Sequence, residues 1–366
     1  MDNAVDIPTI DIGPLLAASD ASYTEEDRRA TASSLQQASQ KHGVLFLKGH
    51  GITAEHRQLA FENSRCFFSL SDDTKRKIPV KKGGFTRGYV PFGGESGSQR
   101  LECKEAFSFG YPWQEDKPPA NALQGPNIWP NSNDLAPEWR EDWISFFRLM
   151  VSVHEAVTRG LAMSADLGLE ELPSLCCGGE TISVSRLMHY FPYTNEPGGG
   201  DGDPKTSESS AVEKIGSSPH TDWGLSTTIM QDGAGGLQFL DQATQRWIDV
   251  PCDDEDAIVF LCGDYMSLLS KGRTKSPVHQ VVTTGVERTS FSLFYYPSFD
   301  AALPVEADSS GRVPTESNGK GACSDHTKTE DVGYNTLLDL KRGDSRAGVE
   351  SFGQYLTRKW CGVFRD

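Results

Sequence analysis

Pro219-His220-Thr221-Asp222-Trp223-Gly224 is the stretch on which the interpretation of this chain rests. Side chains alternate between the two faces of an extended strand, so His220 and Asp222 project from one face and can coordinate one metal ion. A third ligand must come from elsewhere. His279 is the candidate, because it is the histidine further along the chain that lies in a strongly strand-like run, 278–282. Two histidines and one carboxylate on one face of a metal leave the opposite face open.

A second pattern begins nine residues after His279, at Arg288-Thr289-Ser290. Alternation puts Arg288 and Ser290 on one face, where a guanidinium fork and a hydroxyl can hold a carboxylate by charge-assisted hydrogen bonds. Two histidine ligands, one carboxylate ligand and open positions are the arrangement of non-haem Fe(II) oxygenases. The ligand that fits both patterns is 2-oxoglutarate, whose keto and C1 carboxylate oxygens would chelate the metal while its far carboxylate meets Arg288.

The chain resembles the 2-oxoglutarate and Fe(II)-dependent dioxygenases of the isopenicillin N synthase-like group. The matching features are His220-x-Asp222, Gly263-Asp264 with Ser276-Pro277-x-His279, Arg288-x-Ser290, Gly235-Gly236-Leu237-Gln238 and Trp247-Ile248-Asp249-Val250-Pro251. The resemblance implies an enzyme that holds Fe(II), takes 2-oxoglutarate and O2 as co-substrates and releases succinate and CO2. Its other product would be a small organic molecule that has been hydroxylated, desaturated or cyclised.

One further contact to the oxo acid is expected from the strand predicted at 182–191. In the family the corresponding strand faces the oxo acid, and the equivalent position in this chain falls on either His189 or Tyr190. A hydrogen-bonding or packing role for His189 is favoured over a role as a fourth metal ligand.

Three alternatives stay open at this point. The first is an oxidase like isopenicillin N synthase, which uses no 2-oxoglutarate and would meet a substrate carboxylate with Arg288 and Ser290. The second is a non-catalytic jelly roll in which the three ligands hold zinc structurally; the anion-binding pair argues against it, because a structural site needs no such clamp. The third is an oxygenase that modifies nucleic acid or protein.

The predicted fold is mainly β with flanking helices. Many short strands separated by turns favour a jelly-roll-like barrel, and the resemblance implies a double-stranded β-helix. Strands are predicted at 226–230, 237–240, 246–250, 257–262, 279–284 and 289–296, and helices at 25–42, 54–69, 137–167 and 349–360. Residues 1–180 would form an N-terminal region whose helices support the core, 181–300 the catalytic domain, and 301–366 a polar insertion with a C-terminal helix, all in one structural unit.

Composition limits the class of partner and the compartment. The net charge of −16 and the pI near 5.0 argue against nucleic acid and anionic membrane, because both need a basic face. The chain shows no signal-like N-terminus and no apolar run of the ~18 residues that span a bilayer, so a cytoplasmic protein is expected. The eight scattered cysteines, without a CxxC pair, are expected to be free thiols. The sequence does not define the oligomeric state.

Several loop segments bear on the site. Polar insertions at 194–218 and 308–333 have the composition of flexible loops, and the first ends just before His220, where it would be either a lid or a passive linker. The aromatic residues Phe85, Tyr89 and Phe92, with Trp223 beside the ligands, indicate an organic substrate. The basic run at 75–77 is expected to be solvated surface.

Overall fold

The computed structural model describes residues 5–16, 22–80, 87–95, 98–114, 116–164, 167–176, 181–195, 212–303 and 351–361. Within these ranges the strands are β1 (Thr9–Asp11), β2 (Val44–Lys48), β3 (Gly88–Val90), β4 (Leu101–Glu102), β5 (Lys104–Gly110), β6 (Val184–Tyr190), β7 (Lys214–Ile215), β8 (Ser217–His220), β9 (Ser226–Gln231), β10 (Leu237–Asp241), β11 (Arg246–Asp249), β12 (Ile258–Cys262), β13 (His279–Val281) and β14 (Arg288–Tyr295). The helices are α1 (Gly13–Leu16), α2 (Glu25–Lys41), α3 (Ala54–Phe68), α4 (Asp72–Lys75), α5 (Trp139–Ala162), α6 (Leu172–Leu175), α7 (Asp264–Leu269) and α8 (Phe352–Cys361).

Two sheets build the core. The larger has eight strands in the order β1-β2-β12-β9-β14-β6-β5-β3, and the smaller has four in the order β11-β10-β13-β8. Apolar side chains from both sheets, among them Ile229 and Leu261 from the larger and Phe239 and Val281 from the smaller, pack into one cluster between them. The prediction of a mainly β, jelly-roll core with flanking helices is therefore confirmed.

Alternate side chains of strand β14 face opposite sides of the large sheet. Phe291 projects from the outer face of the large sheet and stacks on Trp143 of α5, with ring centres 5.4 Å apart. Phe146 meets the Phe291 ring edge-on, with ring centres 5.0 Å apart. Ser290 and Ser292 project from the inner face. Burial of these large aromatic side chains fixes α5 across the outside of the sheet. The periodic apolar stripe predicted at 137–167 thus packs against the core, in a helix that covers Trp139–Ala162.

The other predicted helices begin where their capping residues lie. At the start of α2, Thr24 accepts a hydrogen bond from the Asp27 backbone while the Asp27 carboxylate accepts one from Thr24, which satisfies two backbone donors at once. Thr53 caps α3 with His56 in the same way. These helices and α5 lie over the outer face of the large sheet, in agreement with a helical N-terminal region that packs on the core.

The N-terminal region also contributes strands. β1, β2, β3 and β5 are hydrogen-bonded into the same sheet as β6, β9, β12 and β14, so a division of the chain at residue 180 does not separate two sheets.

The prediction that the basic run at 75–77 is solvated is wrong for Lys75. Its ammonium is buried and donates to Glu105 at 2.8 Å and to the Phe68 carbonyl at 3.2 Å.

Some predictions fall partly or wholly on residues that the structure does not describe. These are Phe85, residues 196–211 of the first insertion, and the whole second insertion at 308–333. Five cysteines whose side chains are described, Cys66, Cys103, Cys176, Cys252 and Cys262, are free thiols, as predicted. In that same part of the chain, each helix is either too short or too polar to cross a lipid bilayer.

Candidate active site

Three candidate metal ligands meet where β8 and β13 pair. His220 is the last residue of β8, His279 is the first of β13, and the two lie directly opposite each other in the antiparallel pairing. Asp222 follows two residues beyond the end of β8. One ligand atom from each of the three residues lies within 4.8 Å of the others. Asp222 Oδ1 is 3.8 Å from His220 Nε2, and Asp222 Oδ2 is 3.8 Å from His279 Nε2.

The hydrogen bonds of both histidines leave the same ring nitrogen available. His220 Nδ1 donates to the Ser218 carbonyl at 2.7 Å, and His279 Nδ1 donates to the Pro277 carbonyl at 3.2 Å. Because a carbonyl oxygen accepts only, the proton of each neutral ring is on Nδ1, and Nε2 keeps a lone pair directed at Asp222. Burial, together with the adjacent His279 ring, lowers the pKa of His220 to about 4, so His220 is neutral at pH 7 and can donate that lone pair.

Asp222 carries an oxygen that the described residues leave unsatisfied. Its Oδ2 is buried and has no hydrogen-bond partner among them. A buried carboxylate oxygen without a partner costs on the order of 1–3 kcal/mol, which a bound cation would remove. Two imidazole nitrogens and one carboxylate oxygen form a donor set that suits Fe(II) and leaves other coordination positions open. The residues therefore fit the metal that the sequence patterns predict.

The segment that carries Asp222 is held by its neighbours in α7. Thr221 donates from its hydroxyl to Asp264 Oδ2 at 2.9 Å, and the Asp264 backbone N–H donates to the Asp222 carbonyl at 2.8 Å. Gly263 must be a glycine here, because a Cβ at this position would lie 2.2 Å from the Gly224 carbonyl oxygen. The Gly263-Asp264 pair thus has a structural role in orienting the metal ligands.

Arg288 is fixed in a buried position by three hydrogen bonds. Its Nη1 donates to Ser290 Oγ at 3.0 Å, its Nη2 to Gln231 Oε1 at 3.2 Å and its Nε to the Gly235 carbonyl at 2.9 Å. All three acceptors are neutral, so none of them offsets the positive charge of the guanidinium. A carboxylate that reached Arg288 and Ser290 would be the counter-ion that the described neighbours do not supply.

The two patterns found in the sequence line one pocket between the sheets. We call it the oxo-acid pocket; its wall includes His220, Asp222, His279, Arg288, Ser290 and Tyr190. The metal donors lie on one part of this wall and the cation on another, which is the arrangement that a chelating 2-oxo acid with a second carboxylate requires. Gln231, which holds Arg288, was not among the residues predicted from the sequence.

His189 and Tyr190 lie on opposite faces of β6. Tyr190 pairs directly with Arg288 across the strands, and its ring lies 4.7 Å from the guanidinium carbon. His189 points away from the pocket, where its Nδ1 bonds Glu105 Oε1 at 2.9 Å and its ring contacts Phe68 and Phe191. Of the two candidates, only Tyr190 is in the wall of the oxo-acid pocket.

A second cavity adjoins the metal donors, and we call it the outer chamber. It shares His220, Asp222 and Met188 with the oxo-acid pocket, and its other wall residues include Glu95, Glu102, Lys104, Arg186, Trp223 and Trp360. Apart from Trp223, these were missed as site residues in the sequence. The available signal was the occurrence of charged residues inside strands, at Glu102, Lys104 and Arg186, where apolar residues are expected.

The aromatic residues proposed for a substrate entrance have different surroundings. Tyr89 is buried in the outer core and donates to Glu105 at 2.5 Å, and Phe92 is exposed beside Phe191. Neither lines the outer chamber, whereas Trp223 does. The expected aromatic lining is present, but Trp360 of α8 provides it in place of Tyr89 and Phe92.

Comparison with protein families and with known proteins supports the same chemistry. A family described as the N-terminal region of a non-haem dioxygenase in morphine synthesis matches residues 7–132, and the 2OG-Fe(II) oxygenase superfamily matches residues 185–297. The 2-oxoglutarate-dependent dioxygenase tropC of Talaromyces stipitatus is 31% identical over 297 residues, which cover 79% of this chain and 85% of that protein. The 2-oxoglutarate-dependent dioxygenase traH of Penicillium crustosum is 29% identical over 311 residues, covering 82% and 87%.

Solved structures share the fold. A Neurospora crassa protein crystallised with alpha-KG and 5-formyluracil has a TM-score of 0.65 and 25% identity, over 83% of this chain and 88% of its own. The full-length Neurospora crassa protein with alpha-KG alone reaches a TM-score of 0.71 at 22% identity, over 99% and 98%. The double-stranded β-helix interpretation of the two sheets agrees with these neighbours.

Proposed function

Because the chain belongs to the 2OG-Fe(II) oxygenase superfamily, we propose that His220, Asp222 and His279 hold its iron and that Arg288 and Ser290 bind its 2-oxoglutarate. The enzyme is a 2-oxoglutarate-dependent dioxygenase that oxidises a small molecule. Its cofactor is Fe(II), its co-substrates are 2-oxoglutarate and O2, and succinate and CO2 are the co-products. The observation that carries the residue assignment is one pocket whose wall contains all three metal donors and the Arg288–Ser290 pair.

Each residue then has a defined task. Bound iron supplies the O2-dependent oxidation of a C–H bond, coupled to decarboxylation of 2-oxoglutarate. His220 and His279 present neutral Nε2 donors because their Nδ1 protons are held by backbone carbonyls. Asp222 supplies the one negative ligand, and Arg288 with Ser290 receives the far carboxylate of the co-substrate. Burial of the pocket keeps these interactions out of water, which strengthens them.

Tyr190, not His189, is proposed as the further contact at the co-substrate end of the pocket. The Arg288 guanidinium carbon lies over its ring, 4.7 Å from the ring centre, so the ring helps to hold the cation that would receive the carboxylate. His189 is proposed to stabilise the fold through Glu105. It has no part in metal binding in this scheme, because it lies on the other face of β6.

The alternatives differ in what they predict for Arg288. In an oxidase without 2-oxoglutarate, Arg288 would bind a substrate carboxylate, and oxygen would be consumed without succinate formation. In a structural zinc site, a buried guanidinium that is hydrogen-bonded to neutral acceptors among the described residues would have no purpose in the same pocket. Both are less favoured than the dioxygenase, whose co-substrate accounts for the metal donors and the cation together.

We propose the class of partner and the compartment from general properties of the chain. A net charge of −16 supports a partner other than nucleic acid or an anionic membrane surface. The free thiols of Cys66, Cys103, Cys176, Cys252 and Cys262 support a reducing, cytoplasmic compartment. Fractionation of cells that produce the protein would test the location, and recovery with the membrane fraction would contradict it.

The test of the metal assignment is Asp222→Asn measured by Fe(II) binding. The substitution keeps the size of the side chain but removes the negative ligand, so iron affinity in anaerobic equilibrium dialysis should fall by at least about 100-fold, and 2-oxoglutarate turnover should be lost. Asp249→Asn, which changes an exposed carboxylate on β11, is the matched control and should bind iron normally. Normal iron binding by the Asp222 variant would refute the assignment.

A further inference from the structure

The walls of the outer chamber are charged, yet their charges cancel in pairs. Arg186 Nη2 is 2.6 Å from Glu95 Oε1, and Lys104 Nζ is 2.6 Å from Glu102 Oε2. All four side chains are at most 8% exposed. Asp222 also lines the chamber, but its charge is assigned to the metal.

Hydrogen bonds fix both pairs in place. Burial opposes ionisation of Glu102, but the Lys104 ammonium and the Ser218 backbone N–H outweigh burial and lower the pKa of Glu102 to about 2. The carboxylates of Glu102 and Glu95 likewise raise the pKa of Lys104 against the effect of burial. Arg186 is held from a second side, where its Nε donates to Ser108 Oγ at 3.1 Å. Two cations and two anions therefore face the chamber as fixed, mutually neutralised groups.

This balance disfavours a charged substrate. A carboxylate that sought Arg186 or Lys104 would compete with Glu95 or Glu102, and the displaced carboxylate would be left buried without its counter-ion. An ammonium group that sought Glu95 or Glu102 would compete with Arg186 or Lys104, and the displaced cation would be left buried without its counter-ion. Polar but uncharged groups displace no partner, because they can accept a hydrogen bond from an intact pair or donate one to it.

Four aromatic side chains also line the wall, next to Met188 and three hydroxyl-bearing residues. Trp360 of α8 meets Trp223 edge-to-face, with ring centres 5.3 Å apart, and the Arg186 guanidinium carbon is 5.6 Å from the centre of the Trp360 ring. Phe294 and Tyr296 line the same chamber. Flat side chains of this kind bind flat ligands well, because they offer a large contact area at low entropic cost.

Building on the proposed function, we propose that the substrate of this enzyme is an uncharged planar ring compound that carries polar substituents. The ring lies against Trp223 and Trp360, beside the metal donors. The pairs Glu95–Arg186 and Glu102–Lys104 select against carboxylates and amines while they hydrogen-bond to neutral oxygen or nitrogen groups. Trp360 and the two ion pairs are in this view residues that determine specificity.

The first test measures binding without turnover. The protein is loaded with Zn(II) and 2-oxoglutarate, and ligand-observed NMR measures the affinity of matched probes that differ only in charge: 2-naphthol, 2-naphthoate and 2-naphthylmethylammonium. The neutral probe should bind with a dissociation constant in the millimolar range or below, and the charged probes at least about tenfold more weakly. Equal or tighter binding of either charged probe, or no binding of 2-naphthol, would overturn the proposal.

The second test changes the charge balance. Glu95→Gln leaves Arg186 without its anion, so the affinity for 2-naphthoate should rise at least about tenfold, while that for 2-naphthol should change little. Glu213→Gln, at an exposed carboxylate outside the chamber, is the matched control and should leave all three affinities unchanged. If the first variant does not gain affinity for the carboxylate, the ion pairs do not set the charge preference and the proposal fails.

The third test addresses the aromatic wall and does not depend on folding of the charge variant. Trp360→Leu should weaken 2-naphthol binding at least about fivefold, whereas Trp247→Leu, on the outside of the small sheet, should not. Unchanged binding in the Trp360 variant would contradict the assigned wall. Succinate formation by the wild-type iron enzyme is measured alongside: its absence would refute the proposed function, whereas its presence with a preference for charged probes would refute only the substrate class.

Discussion

Arg288 and Tyr190 lie directly opposite each other on β14 and β6, and the guanidinium carbon is 4.7 Å from the centre of the tyrosine ring. The pairing means that the cation is held from one face by an aromatic ring and along its edges by three hydrogen bonds. Such a guanidinium is preorganised, because little side-chain entropy remains to be lost when a carboxylate binds.

We expect Arg288→Lys to raise the KM for 2-oxoglutarate at least about tenfold. The lysine keeps the charge but loses the fork, and one lost charge-assisted hydrogen bond is worth ~1.5–3 kcal/mol. Steady-state succinate formation measures the effect, with Arg246→Lys on β11 as the control for a lysine at an exposed position. An unchanged KM would favour the oxidase alternative, in which Arg288 meets the substrate.

Tyr190→Leu should raise the same KM about 2- to 30-fold, because removal of the ring takes away a cation–π contact of ~0.5–2 kcal/mol. Tyr190→Phe retains the ring and should behave nearly as the wild type. His189→Gln should leave the KM unchanged and instead lower the melting temperature, since His189 bonds Glu105 outside the pocket. A KM effect in the His189 variant alone would reverse the assignment of the two residues.

Thr221→Val should weaken iron binding without changing the ligands themselves. The substitution removes the hydroxyl that donates to Asp264 Oδ2, and loss of a buried hydrogen bond of this kind costs ~1–3 kcal/mol. The Asp222 segment is then less well held, so the Fe(II) concentration for half-maximal activity should rise several-fold, with near-normal activity at saturating iron. Thr221→Ser restores the hydroxyl and should restore the affinity; a defect in both variants would rule out the hydrogen bond as the cause.

His154 should make stability depend on pH. It is fully buried in α5, bonded to the hydroxyls of Ser226 and Thr228, and burial lowers its pKa from 6.5 to about 3. Below pH 6.5 the unfolded chain therefore binds a proton at this histidine while the folded protein does not. The stabilisation present above pH 6.5 is lost as the pH falls towards 3, by roughly 5 kcal/mol.

The measurement is denaturant unfolding of the wild type and His154→Gln from pH 7.5 to pH 4. The glutamine does not titrate, so the loss of unfolding free energy with falling pH should be smaller in the variant, whatever its stability at neutral pH. Parallel curves would show that His154 does not carry this part of the pH dependence.

The candidate metal ligands and Arg288 could be proposed from the sequence because local alternation and residue chemistry group most of them. His220 with Asp222, and Arg288 with Ser290, are each two residues apart in extended chain. The choice between His189 and Tyr190 could not be made in that way. The choice depends on which face of β6 is turned towards the pocket. The long-range pairing of β6 with β14 determines this orientation.

Long-range contacts also explain the other differences. A run of three basic residues predicts solvated surface, yet Lys75 is buried because Glu105, on a distant strand, supplies its counter-ion. The outer chamber escaped sequence-based prediction because its wall combines β4, β5, β6, the segment after β8 and α8, which no local pattern connects. Charged residues at alternating strand positions were the visible sign, but their pairing was not.

Strand β6 illustrates a separation that bears on how such an enzyme can change over evolutionary time. Arg186, Met188 and Tyr190 face the cavities, while Leu187 on the opposite face packs in the core beneath α5. Substitutions on the two faces touch different neighbours, so their effects on stability are close to additive. Cavity-facing positions can therefore acquire new side chains, and the enzyme a new substrate, without repacking of the apolar layer that keeps the chain folded.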